Sequence, residues 1–153
     1  MKYFIDLLGS GFVLSGVLLY IYTPPPNLNL QSLQVEGLDG YSINVQKDTF
    51  ILHLSAVDCL PCRRDTQVLM RYHQHYPDIP IIDANIVQNT EEITQLKKWK
   101  KKLDIQYTLG IITSSEPIYE QIPTTIIFFK GESIKIIGAL HYENLLEHTH
   151  KNR

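Results

Sequence analysis

The sequence predicts an α/β domain in which helices flank a central mixed sheet. Residues 49–56 form a short apolar run with β-branched side chains, which is typical of a buried strand, and residues 63–76 then place apolar side chains on one helical face. A second apolar run at 79–87 predicts a parallel strand that is reached by a right-handed crossover. A third run, 121–130, turns at a Gly-Glu pair into 133–140 and predicts an antiparallel hairpin.

Shorter signals predict the remaining elements. Asp39-Gly40 is a hairpin turn signal between two short alternating stretches, so an N-terminal β-hairpin is expected before the first buried strand. Asn89 is followed three residues later by a glutamate, the arrangement of a capping box, which predicts a helix over 90–103. A closing helix is predicted over 142–150.

The bulk composition bounds the function. A chain of 153 residues with 44% hydrophobic content suits one domain with its own core plus an extension. The formal net charge of −2 gives no indication of nucleic-acid binding. Both cysteines of the chain lie in one short motif, so no separate structural disulfide is expected.

An apolar N-terminal segment predicts a membrane anchor. Residues 3–22 contain one charged side chain, Asp6, and a helix of this length, at about 1.5 Å rise per residue, spans the roughly 30 Å hydrocarbon core. Lys2 precedes the segment and no Lys or Arg follows before Lys47, which favours an N-terminus inside. We expect a single-pass anchor at 1–22 in the inner (cytoplasmic) membrane, with the C-terminal domain in the periplasm or outside. A cleaved signal peptide and a buried core helix are the alternatives.

Three consecutive prolines end this segment. They open an extended spacer, 23–32, because proline cannot continue a helix and favours the polyproline conformation. The spacer is expected to hold the remaining domain, 33–150, a short distance from the bilayer.

The motif Cys59-Leu60-Pro61-Cys62 follows the first predicted buried strand and precedes the first predicted helix. A cysteine at a helix N-terminus meets free backbone N–H groups and the positive end of the helix dipole, which favour its thiolate. A free thiol has a pKa of about 8.5, so a modest lowering makes it substantially ionised at neutral pH. Cys59 is therefore predicted to be the attacking thiol and Cys62, one turn deeper, the resolving thiol.

The motif has two other interpretations. A zinc site normally needs a second cysteine pair or a histidine pair at short spacing, and His73 and His75 are two residues apart, on different helix faces. Two inert buried cysteines fit poorly with Pro61, which suits the first turn of a helix and no later position. Redox chemistry is the interpretation that the residues favour, and no metal site is predicted.

Two runs of residues carry a family resemblance. Residues 50–62 read FILHLSAVDCLPC, and residues 122–131, about sixty positions later, read IPTTIIFFKG. On these motifs the chain resembles the thioredoxin superfamily, and most closely the membrane-anchored TlpA/ResA-like thiol-disulfide oxidoreductases, over roughly residues 30–150. The resemblance implies a thioredoxin-like fold whose redox-active disulfide needs no diffusible cofactor.

The resemblance also implies roles for residues outside the cysteine pair. It implies that Pro123 follows a cis peptide bond and lies against the cysteines, and that the backbone of Ile122 pairs with a substrate chain. The alternative is a trans proline that merely begins an edge strand. Leu60, Pro61 and Thr124 are expected to contact the substrate, with the Leu60 side chain shaping an apolar rim.

The chain departs from the family pattern at three positions in or near the motif, one of which is Leu60 in the variable position between the cysteines. Asp58 stands where relatives usually have tryptophan, and a carboxylate beside Cys59 opposes the helix dipole. His53 stands where thioredoxin has a buried acid, so strand alternation predicts that it points inward below the cysteines. It is a candidate proton shuttle for Cys62, and a hydrogen-bonded core histidine is the alternative.

These observations predict a thiol-disulfide oxidoreductase of the protein-disulfide reductase type. The resemblance implies that its partners are exported thiol or disulfide proteins, such as apocytochrome c, and a membrane electron donor of the DsbD type. Two alternatives stay open. If the same dithiol works in the opposite direction and oxidises substrate thiols, the protein is a dithiol oxidase. If a copper ion is held by Cys59, Cys62 and a histidine such as His141, it is a copper-handling protein.

Overall fold

The structure, a computed structural model, describes residues 34–43, 49–113 and 121–150. The predicted anchor and spacer, 1–22 and 23–32, lie outside these residues. Within the described ranges, no helix is both long enough and apolar enough to cross a bilayer.

The described residues form one mixed sheet of seven strands in the order β2-β1-β5-β4-β3-β6-β7. Its strands are β1 (Val35–Gly37), β2 (Ser42–Ile43), β3 (Thr49–Ala56), β4 (Ile81–Ile86), β5 (Thr108–Ile112), β6 (Thr124–Phe129) and β7 (Glu132–Ile137). Strands β3, β4 and β5 run parallel, whereas β1, β2, β6 and β7 pair antiparallel with their neighbours. The central strand β3 therefore has a parallel neighbour on one side and an antiparallel neighbour on the other.

The three described helices are α1 (Leu60–His75), α2 (Thr90–Leu103) and α3 (Tyr142–His150). The bounds of α2 and α3 are those predicted. Helix α1 begins at Leu60, before the periodic apolar residues that mark its body, because Cys59 caps it and Pro61 lies in its first turn. Helix α2 is capped as predicted: the Asn89 side chain accepts a hydrogen bond from the backbone N–H of Glu92 at 3.0 Å.

The predicted N-terminal hairpin is present as β1 and β2. Val35 pairs with Ile43 and Glu36 with Ser42 in antiparallel register. Gly40 in the turn has φ of +83°, a left-handed conformation that glycine adopts without steric cost. Strand β1 also pairs with β5, so the hairpin extends the sheet at one edge.

Two apolar clusters lie on the two faces of the sheet. Buried residues from all three helices join Ile51 of β3 in the larger cluster. The smaller cluster is built by strand residues, including Phe50, Leu52 and Leu54 of β3. Strand β3 is thus buried on both faces, and its carboxyl end delivers the chain directly to the cysteines.

Candidate active site

The two cysteines form a disulfide at the junction between β3 and α1. The Cys59–Cys62 S–S distance is 1.99 Å and the two Cα atoms are 5.2 Å apart. The residues differ in exposure, since Cys62 is 2% exposed whereas Cys59 is partly accessible. Cys59 is therefore the more accessible of the two cysteines, and Cys62 is the more deeply buried one.

The start of α1 presents hydrogen-bond donors to the outer sulfur. Cys59 occupies the N-cap position, and the backbone N–H of Cys62 donates to Cys59 Sγ at 3.2 Å. The guanidinium of Arg63 donates to the Val57 carbonyl at 3.1 Å, which holds a positive charge beside this turn. When the disulfide opens, the Cys59 sulfur remains at a helix N-terminus, where backbone N–H groups and the helix dipole stabilise a thiolate.

The Pro123 loop lies at the same end of the sheet. The Ile122–Pro123 peptide bond is cis, the isomer that the resemblance implies. Strand β6 begins directly after it, and its first residue, Thr124, pairs with Leu54 near the carboxyl end of β3. The backbone N–H of Gly138 donates to the Pro123 carbonyl at 2.9 Å and holds this loop against the end of β7.

The predicted substrate-contacting residues differ in accessibility. Leu60 is 62% exposed, Pro61 is exposed and Ile122 is half-buried, so the two residues that directly follow Cys59 present apolar surface to solvent. Thr124 is buried, and its hydroxyl donates to the Gln121 carbonyl at 2.7 Å. Its side chain therefore stabilises the Pro123 loop from inside. Of Thr124, only the backbone could contact a substrate.

His53 points into the interior, as strand alternation predicts. It is fully buried on β3, and its Nδ1 lies 3.0 Å from the hydroxyl of Thr125 on β6. Its Nε2 lies 4.0 Å from Oδ2 of Asp65 on α1. Burial lowers the pKa of His53 to about 4, so the imidazole is neutral at pH 7.

Two buried carboxyl groups accompany His53, and neither was predicted from the sequence. Asp65 on α1 is 1% exposed, and its Oδ1 accepts a hydrogen bond from the backbone N–H of Leu140 at 3.0 Å. Burial raises the pKa of Asp65, while the Leu140 hydrogen bond and the nearby His141 act in the opposite direction. A sequence signal existed: Asp65 falls one helical turn before Leu69 and one turn after Cys62, on the face that becomes buried.

The second buried carboxyl group, Asp83, lies on β4 directly opposite His53. The Ser55 hydroxyl donates to Asp83 Oδ1 at 2.5 Å. Burial raises the pKa of Asp83 to about 7, with a further rise from Asp65 and an opposing effect of the Ser55 hydrogen bond. The available signal was an acidic residue inside a mostly apolar strand.

The copper-handling alternative draws on the same cysteines and on His141. That histidine is exposed in the turn before α3, where its backbone N–H donates to the Asn144 side chain at 3.2 Å. Across residues 34–43, 49–113 and 121–150, no group of three or more His, Cys, Asp or Glu side chains is arranged to hold a metal ion.

Solved structures with a similar fold include several thiol-disulfide proteins. A secreted disulfide oxidoreductase of Mycobacterium tuberculosis, described as homologous to E. coli DsbE, has a TM-score of 0.61 at 12% identity, covering 73% of this chain and 90% of its own. StoA from Bacillus subtilis has a TM-score of 0.61 at 20% identity, with 74% and 92% covered. A thioredoxin-family thiol:disulfide interchange protein from Chlorobium tepidum has a TM-score of 0.61 at 14% identity, with 73% and 86% covered.

No protein-family model matches the sequence, and neither does any curated protein. The conclusion from the comparisons is therefore one of fold. The mixed sheet, the disulfide at the end of β3 and the structural similarity together show that this chain has the thioredoxin-like α/β fold.

Proposed function

We propose that the chain is a thiol-disulfide oxidoreductase that reduces disulfides of exported proteins with Cys59 and Cys62. The observation that carries the proposal is the cap of α1. There the partly accessible Cys59 sulfur receives a backbone N–H and is also bonded to a buried second sulfur. An accessible thiol that is stabilised as a thiolate, with a resolving thiol beside it, is what disulfide exchange requires.

The reaction proceeds in two exchanges. The Cys59 thiolate attacks a substrate disulfide, an S–S bond forms between Cys59 and one substrate sulfur, and the other sulfur leaves with the electron pair. Cys62 then gives up its proton and attacks Cys59, which forms the Cys59–Cys62 bond and releases the second substrate sulfur as a thiolate. The dithiol is oxidised by two electrons, and the substrate disulfide is reduced by two.

The Pro123 loop is proposed to hold the substrate chain during these steps. Ile122 is half-buried, and strand β6 begins after it beside the end of β3. An extended substrate segment that pairs with the Ile122 backbone would gain main-chain hydrogen bonds, while Leu60 and Pro61 offer apolar contact. This arrangement recognises backbone and apolar surface, which suits disulfides in several different proteins.

His53 is proposed to belong to the proton path of Cys62. It is buried, neutral at pH 7 and held in orientation by Thr125. A neutral imidazole has one nitrogen that donates and one that accepts, so it passes a proton without carrying a buried charge at rest.

We further propose that residues 3–22 tether the domain to the inner membrane, with the domain in the periplasm or outside. The apolar length of this segment and the lysine that precedes it support this orientation. In such an oxidising compartment a reductant needs a supply of electrons, which a membrane donor of the DsbD type would provide. Exported thiol proteins such as apocytochrome c are the proposed targets.

Trapping of mixed disulfides tests the proposed function. In the full chain, Cys62→Ser leaves Cys59 to attack and removes the thiol that releases the substrate. We expect Cys59-linked exported proteins to accumulate in cells that carry this variant. Cys59→Ser is the matched control and should trap none. An absence of Cys59-linked partners under reducing conditions contradicts the proposal.

The reduction potential of the Cys59–Cys62 couple tests the direction. A value near that of thioredoxin, about −270 mV, is expected for a reductant, whereas a value near that of DsbA, about −120 mV, would assign the oxidase direction. Protease treatment of spheroplasts tests the topology: the domain should be digested, and its protection would reverse the proposed orientation.

A further inference from the structure

The second half of helix α2 carries a concentration of positive charge. Five of the 14 Lys and Arg residues of the chain lie there, although the formal net charge of the chain is −2. Lys100 is half-buried at the edge of this group. The other four are exposed, and we call them the lysine face: Lys97, Lys98, Lys101 and Lys102.

The folded domain alone does not account for the lysine face. Cations suit the last turn of a helix, where the dipole is negative, but Lys97 and Lys98 lie before that turn. Lysines four residues apart, such as Lys97 and Lys101, repel each other and destabilise the helix. Asp39 and Asp104 line a groove beside these two lysines, yet among the described residues no carboxylate lies within ion-pair distance of the face. The face therefore lacks a negative partner within the described domain.

The lysine face lies toward the end of the sheet opposite the disulfide. Helix α2 begins after the carboxyl end of β4 and leads back to the amino end of β5, which runs parallel to β4. The disulfide follows the carboxyl end of β3, which is parallel to β4 as well. A surface that binds the lysine face therefore leaves Cys59 accessible to a substrate.

The length of the chain before the domain decides which anionic surface is within reach. Residues 23–34 lie between the proposed anchor and β1, and a chain of that length spans at most roughly 40 Å. Strand β3, with 8 residues, is about 26 Å long. Either end of the sheet can therefore reach a bilayer that holds the anchor. A bilayer surface is always close to the lysine face, whereas a soluble acidic protein must first meet it by diffusion.

Resting on the proposed membrane tether, we propose that the lysine face binds the anionic headgroups of the bilayer that holds the anchor. A lysine ammonium is a point charge on a flexible stem, so several of them attract lipid phosphates without a shaped pocket. In this orientation the disulfide is directed away from the bilayer and toward exported proteins. The anchor keeps the domain at the membrane, and the lysine face determines how the domain is oriented there.

Energy transfer from Trp99 to labelled lipids tests the proposal. Trp99 is the only tryptophan of the chain, and it lines a cavity with Val57 and Leu96 between α1 and α2, so it reports the position of the folded domain. The full chain is reconstituted into vesicles that contain a dansyl-labelled lipid. One set is phosphatidylcholine, and the other is two parts phosphatidylcholine to one part phosphatidylglycerol.

Transfer from the wild type should be greater in the anionic vesicles. Salt at 1 M shortens the Debye length to about 3 Å, so it should lower this transfer to the level seen in neutral vesicles. Equal transfer in neutral and anionic vesicles at low salt overturns the proposal, whether the lysine face is only solvated or binds an acidic protein instead.

The double variant Lys97→Glu with Lys98→Glu removes the charge of the face without weakening the helix. Each new glutamate lies four residues before Lys101 or Lys102, the favourable order for a helical ion pair. One lysine at an anionic surface is worth about fivefold in binding, so the ratio of docked to undocked domains should fall by at least about 25-fold. Transfer should then be the same in both kinds of vesicle.

A matched control variant changes the net charge equally on another part of the domain. Lys130→Glu with Lys135→Glu alters the turn between β6 and β7 and strand β7, at the opposite edge of the sheet from the N-terminal hairpin. Its transfer should match that of the wild type. A loss as large as that of the Lys97→Glu and Lys98→Glu variant would show a general effect of net charge and would overturn the proposal.

Two further measurements separate this proposal from the proposed function. Reduction of insulin by each detergent-solubilised variant should proceed at the wild-type rate, and a wild type without this activity contradicts the reductase function alone. Flotation of the wild type with neutral vesicles after an alkaline wash tests the tether. If the chain does not float, the tether fails, and flotation with anionic vesicles that is lost in the Lys97→Glu and Lys98→Glu variant would still support the lysine face.

Discussion

The two faces of strand β3 are both buried, yet they are built from different chemistry. Phe50, Leu52 and Leu54 alternate on one face and pack in a cluster of apolar side chains. The opposite face begins with Ile51 and continues with His53 and Ser55, both buried and both hydrogen-bonded to polar side chains.

The difference shows where polar side chains are buried at a cost in stability, which is along the half of β3 that leads to Cys59. The apolar face contributes stability alone, through burial and close packing. The face with His53 and Ser55 places polar groups along the second half of the strand, the half that leads to Cys59. Polar atoms that are buried and only partly satisfied, such as those of Asp65 and Asp83, are costly. His53 pairs with Asp83 across two strands and lies 4.0 Å from Asp65, so these atoms belong to one group of side chains, and such a group is a candidate for function.

Leu54→Ala tests the apolar face and should give the largest loss of stability. Leu54 is fully buried, so its truncation leaves a cavity and should lower the free energy of unfolding by about 2–5 kcal/mol. Urea denaturation measures this, and Leu54→Met, which conserves volume, should cost less than about 1.5 kcal/mol. The rate at which Cys59 attacks oxidised glutathione should not change. A changed rate would contradict the claim that the apolar face contributes to stability only.

Ser55→Ala tests the polar face and should cost about 1–3 kcal/mol, because Asp83 loses the hydroxyl that donates to it at 2.5 Å. The same hydrogen bond lowers the pKa of Asp83, so its loss raises that pKa further. The loss of stability should therefore be greater at pH 8, where Asp83 is ionised, than at pH 5. Ser133→Ala on β7 is the control, with an expected change within about 0.5 kcal/mol. An equal loss at both pH values would show that the Ser55 hydrogen bond does not affect the pKa of Asp83.

The pH dependence of stability should separate His53 from Asp83, since their pKa values move in opposite directions. The pKa of His53 falls from 6.5 to about 4, so between these values the unfolded state binds more protons and the His53 contribution makes stability rise with pH. The pKa of Asp83 rises from 3.8 to about 7, so the folded state binds more protons and the Asp83 contribution makes stability fall as pH rises through that window.

Urea denaturation between pH 4 and 7 measures both contributions in variants. Asp83→Asn removes the falling contribution, so its stability should climb more steeply with pH than that of the wild type. His53→Gln removes the rising contribution, so its stability should decline relative to the wild type over the same window. Parallel profiles for all three proteins would show that both groups have the same pKa in the folded and unfolded states, which would contradict both shifts.

The smallest expected effect on stability is that of Leu60→Ser. Leu60 is 62% exposed, so stability should change by less than about 0.5 kcal/mol. Its proposed role is apolar contact with a substrate, so capture of a peptide disulfide by Cys59 should weaken by about 1 kcal/mol. Tyr41→Ser is the control, because Tyr41 is 78% exposed on the distant hairpin and should affect neither quantity. If both variants capture the peptide equally well, Leu60 does not contact the substrate.

Local patterns predicted most of the fold. The alternation and apolar runs located β3, β4 and the β6–β7 hairpin to within a few residues, and the Asn89 cap located the start of α2. Apolar periodicity marked α1 only from residue 63, because Leu60 and Pro61 are exposed, whereas the cysteine motif correctly predicted Cys59 at the helix N-terminus. The predicted anchor at 3–22 lies outside the described residues and remains a prediction.

The buried polar side chains near the disulfide, those of His53, Asp65 and Asp83, could be predicted only in part. Strand alternation indicated that His53 points inward. Asp65 and Asp83 are buried because of partners that are distant in sequence: Leu140 donates to Asp65 from 75 residues away, and Ser55 donates to Asp83 from 28 residues away. An acidic residue on a helix or strand is exposed by default, and only the tertiary arrangement reverses that default.

The acidity of the Cys59 thiol tests the central claim most directly. In the reduced full chain, the rate of alkylation by iodoacetamide, followed against pH, reports the thiolate fraction, and Cys62→Ser isolates the signal of Cys59. The cap at the start of α1 predicts a pKa well below the value of about 8.5 for a free thiol. A pKa at or above that value would contradict the account.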